Sequence, residues 1–360
     1  MSASHTLPKA GGLLYDEQGR IDLKSLSLPE LERFTQEALG ERPFRARQLW
    51  KWLWQKGART FQEMSDLSGE LRGRLAEKAT IAFLEPEIIL RSADGTLKYL
   101  WRLQDGQTIE SVLIPDGERT TLCMSSQVGC SMGCTFCLTG DLGLRRHLKP
   151  SEIANQPLQV GRQLPEGTRI TNLVLMGMGE PLHNFENLLT ALRICMDDNA
   201  LNYSHRRITV STVGLTPKLR ELAARLPVNL AVSLNASTEA QRREIMPITK
   251  RHSLEELLEA CREIKLPAGK RITFEYVLFR DQNDSLEDAA RLVKLLHGIK
   301  AKVNLIPYNE NPDRDLRPPA PARVQAFQNH LMSRGMNCTV RTPRGQDISA
   351  ACGQLGKAVG

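Results

Sequence analysis

The stretch TTLCMSSQVGCSMGCTFC, Thr120–Cys137, joins a short strand-like run, TTLCMSS, to a loop carrying Cys130, Cys134 and Cys137 at spacings of four and three residues. The chain has eight cysteines in all, so three of them crowd into eight positions. A disulfide framework does not suit the triplet. The N-terminus, MSASHTLPKAGG, has no apolar core of a secretion signal, and a cytosolic chain keeps its thiols reduced. Structural zinc wants four ligands in paired C-x-x-C knuckles, and no second pair follows at a suitable distance. Isolated core cysteines look like Cys195 in LRICM and Cys261 in LEACREI, each among helix-spaced apolar neighbours. An iron–sulfur cluster accepts thiolates from a short loop. With three protein ligands, one iron of a 4Fe-4S cube is left open to a chelating small molecule.

Outward from this stretch a rhythm repeats to the C-terminus. The runs TTLCMSS, ITNLVLMGMG, RRITVSTVG, VNLAVSLNA, RITFEYVLF and AKVNLIPYN alternate with SEIANQPLQVGRQL, ENLLTALRICMDD, PKLRELAARL, SLEELLEACREI, SLEDAARLVKLL and ARVQAFQNHLMSRG. Short Val/Ile/Leu-rich runs followed by runs with apolar residues three and four apart predict repeated βαβ units around a parallel sheet. Six units are too few to close an eight-fold barrel, so an α/β fold with an open, partial (β/α)6 barrel is expected. Function in such folds gathers at the C-terminal strand ends. There the sequence sets Gly177, Gly179 and Glu180, then Ser211 and Thr212, Ser233 and Asn235, and Asn309. Singly each reads as a polar residue or a Gly-Pro loop leaving a strand. Together they ring one mouth, onto which the three-cysteine loop also opens.

At 360 residues the chain is long enough for a large domain and a smaller one. No apolar run approaches membrane-spanning length, so no membrane association is expected and the chain reads as a cytoplasmic monomer. The net charge of +7 points to an anionic partner. The basic residues that suggest one cluster in ERPFRARQLWKWLWQKGARTFQEM, where Arg42, Arg45, Arg47, Lys51, Lys56 and Arg59 interleave with Phe44, Trp50, Trp52 and Trp54. Basic groups neutralise phosphates, and exposed aromatics stack on unpaired bases. Leu49, Trp50, Leu53 and Trp54 also have the helical spacing of a small core, so the tryptophans are assigned to packing and the arginines to RNA. GLRRHLK adds Arg145, Arg146 and Lys149.

In order along the chain, TLCMSSQVGCSMGCTFC, GMGEPL, RRITVSTVG, VSLNA, NLIPYN and ISAACGQL resemble the radical S-adenosylmethionine (SAM) superfamily, and within it the RlmN/Cfr family of adenine-methylating RNA methyltransferases. The resemblance runs from about residue 30 to residue 356. It implies that Cys130, Cys134 and Cys137 hold a 4Fe-4S cluster whose fourth iron is chelated by SAM, and that reductive cleavage of SAM yields a 5′-deoxyadenosyl radical. It further implies SAM contacts from Gly179, Glu180, Ser211, Ser233, Leu234, Asn235 and Asn309, with Asn235 standing where many relatives carry His. Taken alone, Cys123 and Cys352 read as buried or incidental thiols. The resemblance makes Cys352 the acceptor of a methyl group from one SAM and Cys123 the thiol that later releases the product, leaving a disulfide for an external reductant. Glu110, which strand alternation after the Asp105-Gly106 turn would turn to solvent, becomes the proton acceptor, with Cys123 its rival.

The expected organisation is a flexible lead over 1–30, a helical RNA-binding accessory domain over 31–95, the partial barrel with a leading hairpin over 96–345, and a tail over 346–360 that carries Cys352. The implied substrates are 23S rRNA and tRNA, methylated at C2 of an adenosine, with an external electron donor for the cluster. Methylation at C8, as in Cfr-like enzymes, uses the same cysteines. A radical SAM enzyme acting on a small molecule is disfavoured by the basic segment and the ACGQL thiol. A non-catalytic iron–sulfur RNA-binding protein leaves Cys123, Cys352 and GMGEP without a use.

Overall fold

The computed structural model describes residues 14–311 and 314–356. An N-terminal helical unit is made of β1 (Ile21–Asp22), α1 (Leu28–Glu37), α2 (Phe44–Lys51), α3 (Gly69–Lys78) and β2 (Ala79–Thr80), with β1 and β2 paired in parallel. Helix α1 starts where the sequence supplies a capping box: Ser27 is the N-cap and the Glu30 carboxylate accepts from the Ser27 backbone N–H at 2.7 Å. Helix α2 widens into a π-helical turn over Trp52–Lys56, which Gly57 ends in the left-handed region. Trp50 and Trp54 meet edge to face, 6.1 Å apart, inside a core with Leu49, Leu53, Leu71 and Leu75.

Two expected boundaries move. Of the lead assigned to 1–30, residues 1–13 lie outside the described residues, but Ile21, Leu23 and Leu26 are fully buried, because β1 pairs with β2 and draws its neighbours into the helical core. The helical unit also ends before residue 95, since β3 (Pro86–Arg91) already belongs to the main sheet.

That sheet has ten strands in the order β14-β13-β12-β11-β10-β9-β6-β5-β4-β3. Strands β3, β4 (Leu97–Arg102), β5 (Thr108–Asp116) and β6 (Arg119–Cys123) form an antiparallel meander. A two-stranded ribbon, β7 (Gln127–Gly129) and β8 (Leu144–His147), brackets the three-cysteine loop and the single turn α4 (Leu138–Asp141). From β6 the sheet continues in parallel through β9 (Asn172–Leu175), β10 (Ile208–Thr212), β11 (Asn229–Ser233), β12 (Ile272–Leu278) and β13 (Ala301–Pro307). These are the six strands that the hydrophobic runs announce. The helices between them are α5 (Pro150–Gln163), α6 (Phe185–Met196), α7 (Thr216–Arg225), α8 (Glu239–Ile245), α9 (Leu254–Glu263) and α10 (Leu286–Leu295), with α11 (Pro321–Ser333) after β13. A seventh parallel strand, β14 (Cys338–Val340), extends the edge.

The two ends of the sheet are brought together by the chain that leaves β14. Arg344 pairs with Asp116 at 3.1 Å, the Gly345 N–H donates to Asp94 at 2.9 Å, and Ser92 donates to Asp347 at 2.6 Å. Strands at opposite ends of the order thus share one tail. The sheet curls, and the tail crosses the gap that six βα units leave open.

Candidate active site

The cysteine loop is held on three sides by backbone hydrogen bonds. Cys130 N–H donates to Gly143 O at 3.0 Å, Thr135 N–H to Ile245 O at 3.0 Å, and Leu138 N–H to Gly353 O of the tail at 2.9 Å. The three cysteines border a cavity of about 150 Å³ that is also lined by Gly179 and Glu180, Ser211, Ser233, Asn235, Glu275 and Cys352. Burial pushes the Cys130 thiol up to about 12 and raises Cys134 and Cys137, and neighbouring sulfurs add to the rise at Cys130 and Cys134. Thiols buried this closely together call for a cationic centre among them if they are to ionise. Among the described residues no three His, Cys, Asp or Glu side chains converge closely enough for a single metal ion. Sulfurs set around an open cavity suit a polynuclear cluster, in which each cysteine binds a different iron.

The end of β9 packs against the root of this loop. Gly177 and Gly179 (φ +100°) lie where an added Cβ would stand 2.7 Å from the Met124 backbone and 2.5 Å from Gln127 Cβ. The close approach for which the glycines are needed is to the protein's own chain at Met124–Gln127. Glu180 N–H then donates to Gln127 Oε1 at 2.7 Å, and the Glu180 carboxylate accepts from the N–H groups of Leu182 and Val213. Burial raises this carboxyl to about 7 against those donors, so a cationic ligand in the cavity would draw it into its ionised form. Ser211 donates to Glu275 at 2.9 Å. Asn235 adopts φ +57°, a conformation that Asn tolerates, and its Oδ1 accepts from the Val277 N–H at 2.9 Å. Its side chain is thereby spent on the fold.

Leu234 and Asn309 do not line the cavity. Leu234 is fully buried, with its N–H donated to Glu275 O at 2.9 Å. Asn309 faces the tail, donating to Cys352 O at 3.1 Å and accepting from Gln346 Nε2 at 3.2 Å.

Cys352 is half-buried and borders the cavity; Cys123 is buried behind it at the end of β6. Burial and the adjacent Cys352 push the Cys123 thiol up to about 12. Glu110 departs from its expected solvent-facing place. It is 2 % exposed, its Oε1 lies 3.2 Å from Lys98 Nζ, and its Oε2 accepts from the Gly356 N–H at 2.8 Å. Instead of joining the cysteine cavity, it lines a neighbouring concavity with Arg145, Met178 and Gly356.

Two families match the chain: "Ribosomal RNA large subunit methyltransferase N-terminal domain" over residues 21–81 and "Radical SAM superfamily" over 124–293. A protein of Anaeromyxobacter sp. (strain Fw109-5) named "Dual-specificity RNA methyltransferase RlmN" is 53% identical over 99% of this chain and 94% of its own length. One of the same name from Syntrophotalea carbinolica is 53% identical over 94% and 91%. The chain belongs to the RlmN family of radical SAM RNA methyltransferases. A crystal structure of a radical SAM methyltransferase from Sphaerobacter thermophilus superposes with a TM-score of 0.87 at 42% identity, over 93% of this chain and 99% of that one. Family membership carries with it a 4Fe-4S cluster and SAM, and the three-thiol cavity fits them.

Several residues of the site carry no motif. Arg242 is fully buried and donates to Val213 O, Ser233 O and Thr249 Oγ1, tying two strand ends together behind the cavity. Glu275 and Lys98 sit in strand runs whose alternation hides them, and Arg341 follows a three-residue strand. The basic surface is also thinner than its sequence. Arg146 is bound to Glu152 and Asp105 at 2.7 and 2.6 Å, and Arg59 pairs with Glu85. Arg42, Arg47, Lys51, Lys56 and Arg145 remain exposed.

Proposed function

We propose that the chain methylates C2 of an adenosine in 23S rRNA at the peptidyl transferase centre, and of the adenosine 3′ of the anticodon in tRNAs. The observation that carries this reading is that Cys352 borders the three-cysteine cavity while a second thiol, Cys123, lies buried at the end of β6 close enough to feel its charge. Adenine C2 is an electron-poor ring carbon with no nucleophilic lone pair, so simple displacement on SAM fails there. When bound, the cluster and two molecules of SAM, with an external electron donor, supply a methyl group and a hydrogen-abstracting radical. Cys352 takes the methyl group on sulfur, gives up one of its hydrogen atoms, and bonds through that carbon to the ring. Loss of the ring proton, to Glu110 or to Cys123, and of the unpaired electron, which a bound cluster would take back, prepares release. The Cys123 thiolate attacks the Cys352 sulfur, the S–C bond breaks with its electrons going to the product carbon, which takes up a proton to complete the methyl group, and a disulfide remains that a reductant must open. Gly179, Glu180, Ser211, Ser233 and, through its backbone, Asn235 line the cavity and would hold SAM. The proposed RNA face is the exposed basic set Arg42, Arg47, Lys51 and Lys56, together with Arg145 beside the Glu110 concavity.

Cys123→Ala is expected to trap RNA covalently on Cys352, whereas Cys352→Ala forms neither adduct nor product. Nucleoside digestion and mass spectrometry of RNA treated with the unmodified enzyme should give 2-methyladenosine. An 8-methyl product would reassign the ring carbon, and the absence of a crosslink in the Cys123 variant would remove the two-thiol route.

A further inference from the structure

The end of the barrel away from the three-cysteine cavity carries three segments, NYSHRR (202–207), IKLPAGKR (264–271) and LHGIKAK (296–302), that lead into β10, β12 and β13. In a chain with 48 Lys and Arg against 41 Asp and Glu, these segments hold seven cations and no carboxylate. The sheet sets them side by side, because β10, β11, β12 and β13 pair in that order, all in parallel, with Ile272 opposite Ala301. The approach to β11 ties them together. Asn229 Nδ2 donates to Arg206 O at 2.8 Å, Lys270 Nζ donates to Pro227 O at 2.5 Å, and the Ile272 N–H donates to Lys300 O at 2.9 Å. Arg206, Arg207, Lys265, Arg271, Lys300 and Lys302 are exposed, and Lys270 is half-buried. Among the described residues none of these cations is in an ion pair. The acids that precede the segments offer little relief: Glu263 is engaged by Arg220 at 2.5 Å, and Asp197 and Asp198 stand ahead of the first segment only. Between the second and third segments lies a concavity of about 320 Å³, lined by Arg262, Lys265, Gly298 and Lys300 among others.

We propose that this rim is a second RNA-binding face, which takes the phosphate backbone of a large folded RNA while the target base is held at the opposite end of the barrel. The inference rests on the reading of 23S rRNA as a substrate. Cations gathered on one face without carboxylates attract a polyanion, and each phosphate they neutralise releases counterions. Tyr203, the one aromatic residue of the three segments, is half-buried, so the contact is with backbone and carries no sequence preference. The rim also continues the RNA face proposed above. Gln55, one helical turn beyond Lys51, donates to Asp198 O at 3.3 Å, in the loop that runs on to Arg206 and Arg207. The strands between rim and mouth are five to seven residues long, a span of about 17–23 Å. An RNA that touches both ends has to pass round the outside of the barrel. A large folded RNA can do so, and a short stem-loop seated in the mouth cannot.

The test compares two RNAs on the cluster-containing full chain without SAM: a 23S rRNA fragment spanning the peptidyl transferase region, and a stem-loop of a few base pairs carrying the same adenosine. Filter retention over a salt series gives Kd and its salt slope. The combined variant Lys265→Gln, Arg271→Gln, Lys300→Gln should bind the large fragment roughly tenfold more weakly near about 0.1 M salt, with the slope of log Kd against log salt lowered by about 2–3. Its affinity for the stem-loop should stay within about twofold, since no phosphate of the stem-loop reaches the rim. If the combined variant melts early, the three single variants carry the comparison, each expected to lower the slope by about 1. Equal loss on both RNAs would mark a general effect of net charge and overturn the proposal. Unchanged binding of the large fragment would overturn it too, and leave the rim to an acidic protein. Failure of the substrate reading shows differently, because then the unmodified protein itself retains neither RNA.

Discussion

Lys98 and Glu110 are diagonal neighbours on β4 and β5, since Leu100 stands opposite Glu110. Each is 2 % exposed, because the tail covers their face of the sheet and Lys98 also donates to Ser349 O at 3.3 Å. Charge removed from water this completely is sustained by its partner. Lys98→Met therefore strands a carboxylate, and is expected to cost about 3–5 kcal/mol in urea unfolding. Adding Glu110→Gln should recover most of that loss, because the uncompensated charge is then gone. Strict additivity of the two changes would show that the pair is not coupled. The alternation of Leu97, Tyr99, Trp101 and Leu103 identifies the core face correctly, with Tyr99 and Trp101 stacked and buried. It turns Lys98 and Glu110 away from that core. What burial the opposite face receives depends on a segment some 250 positions away, which period-two reasoning cannot see.

At the scale of elements, the six parallel strands and the helices after them were legible because each carries its own pattern, and strands buried on both faces read as apolar runs. The β7–β8 ribbon and the π-helical turn were not, being too short or too local in cause to leave a periodic signal. The GMGEP loop lies between these cases. Its glycines mark a close approach, and what approaches is the chain at Met124–Gln127, from which the cysteine ribbon starts. Gly179→Ala meets two penalties, a positive φ of 100° and a Cβ 2.5 Å from Gln127. The side-chain clash falls on the ribbon that anchors Cys130, so a lowered melting temperature and reduced iron content should appear together, with a backbone cost of about 1–3 kcal/mol. A variant that melts and loads iron as the unmodified protein does would show that the ribbon yields freely.

The whole molecule is joined through a polar seam between the helical unit and α5. Ser25 donates to Ser151 at 2.9 Å, Asn155 donates to Ala82 O at 3.1 Å, Arg162 donates to Gly57 O and Lys56 O, and Lys24 Nζ donates to Asn155 Oδ1 at 2.9 Å. Lys24 is fully buried and lies 5.1 Å from the Trp54 ring centroid. Desolvation lowers its ammonium from 10.5 to about 7 against the pull of Asp22, with Arg162 and Arg59 pushing the same way as burial. In the unfolded chain the lysine keeps its proton to about 10.5, so between about pH 7 and that value the unfolded state binds more protons than the folded one. Stability contributed by this group is therefore fully present above the unfolded value, declines as pH falls through the window, and is gone below about 7. Lys24→Met has no such proton to release. Its lost hydrogen bond to Asn155 is a constant offset, whereas the gap between the two proteins should widen by on the order of 1–3 kcal/mol as pH rises from about 7 to about 9. Chemical denaturation of both proteins across that range reads it directly, and a gap independent of pH would mean that the seam holds Lys24 as a charged ammonium, with Asn155, Asp22 and the Trp54 face together solvating it.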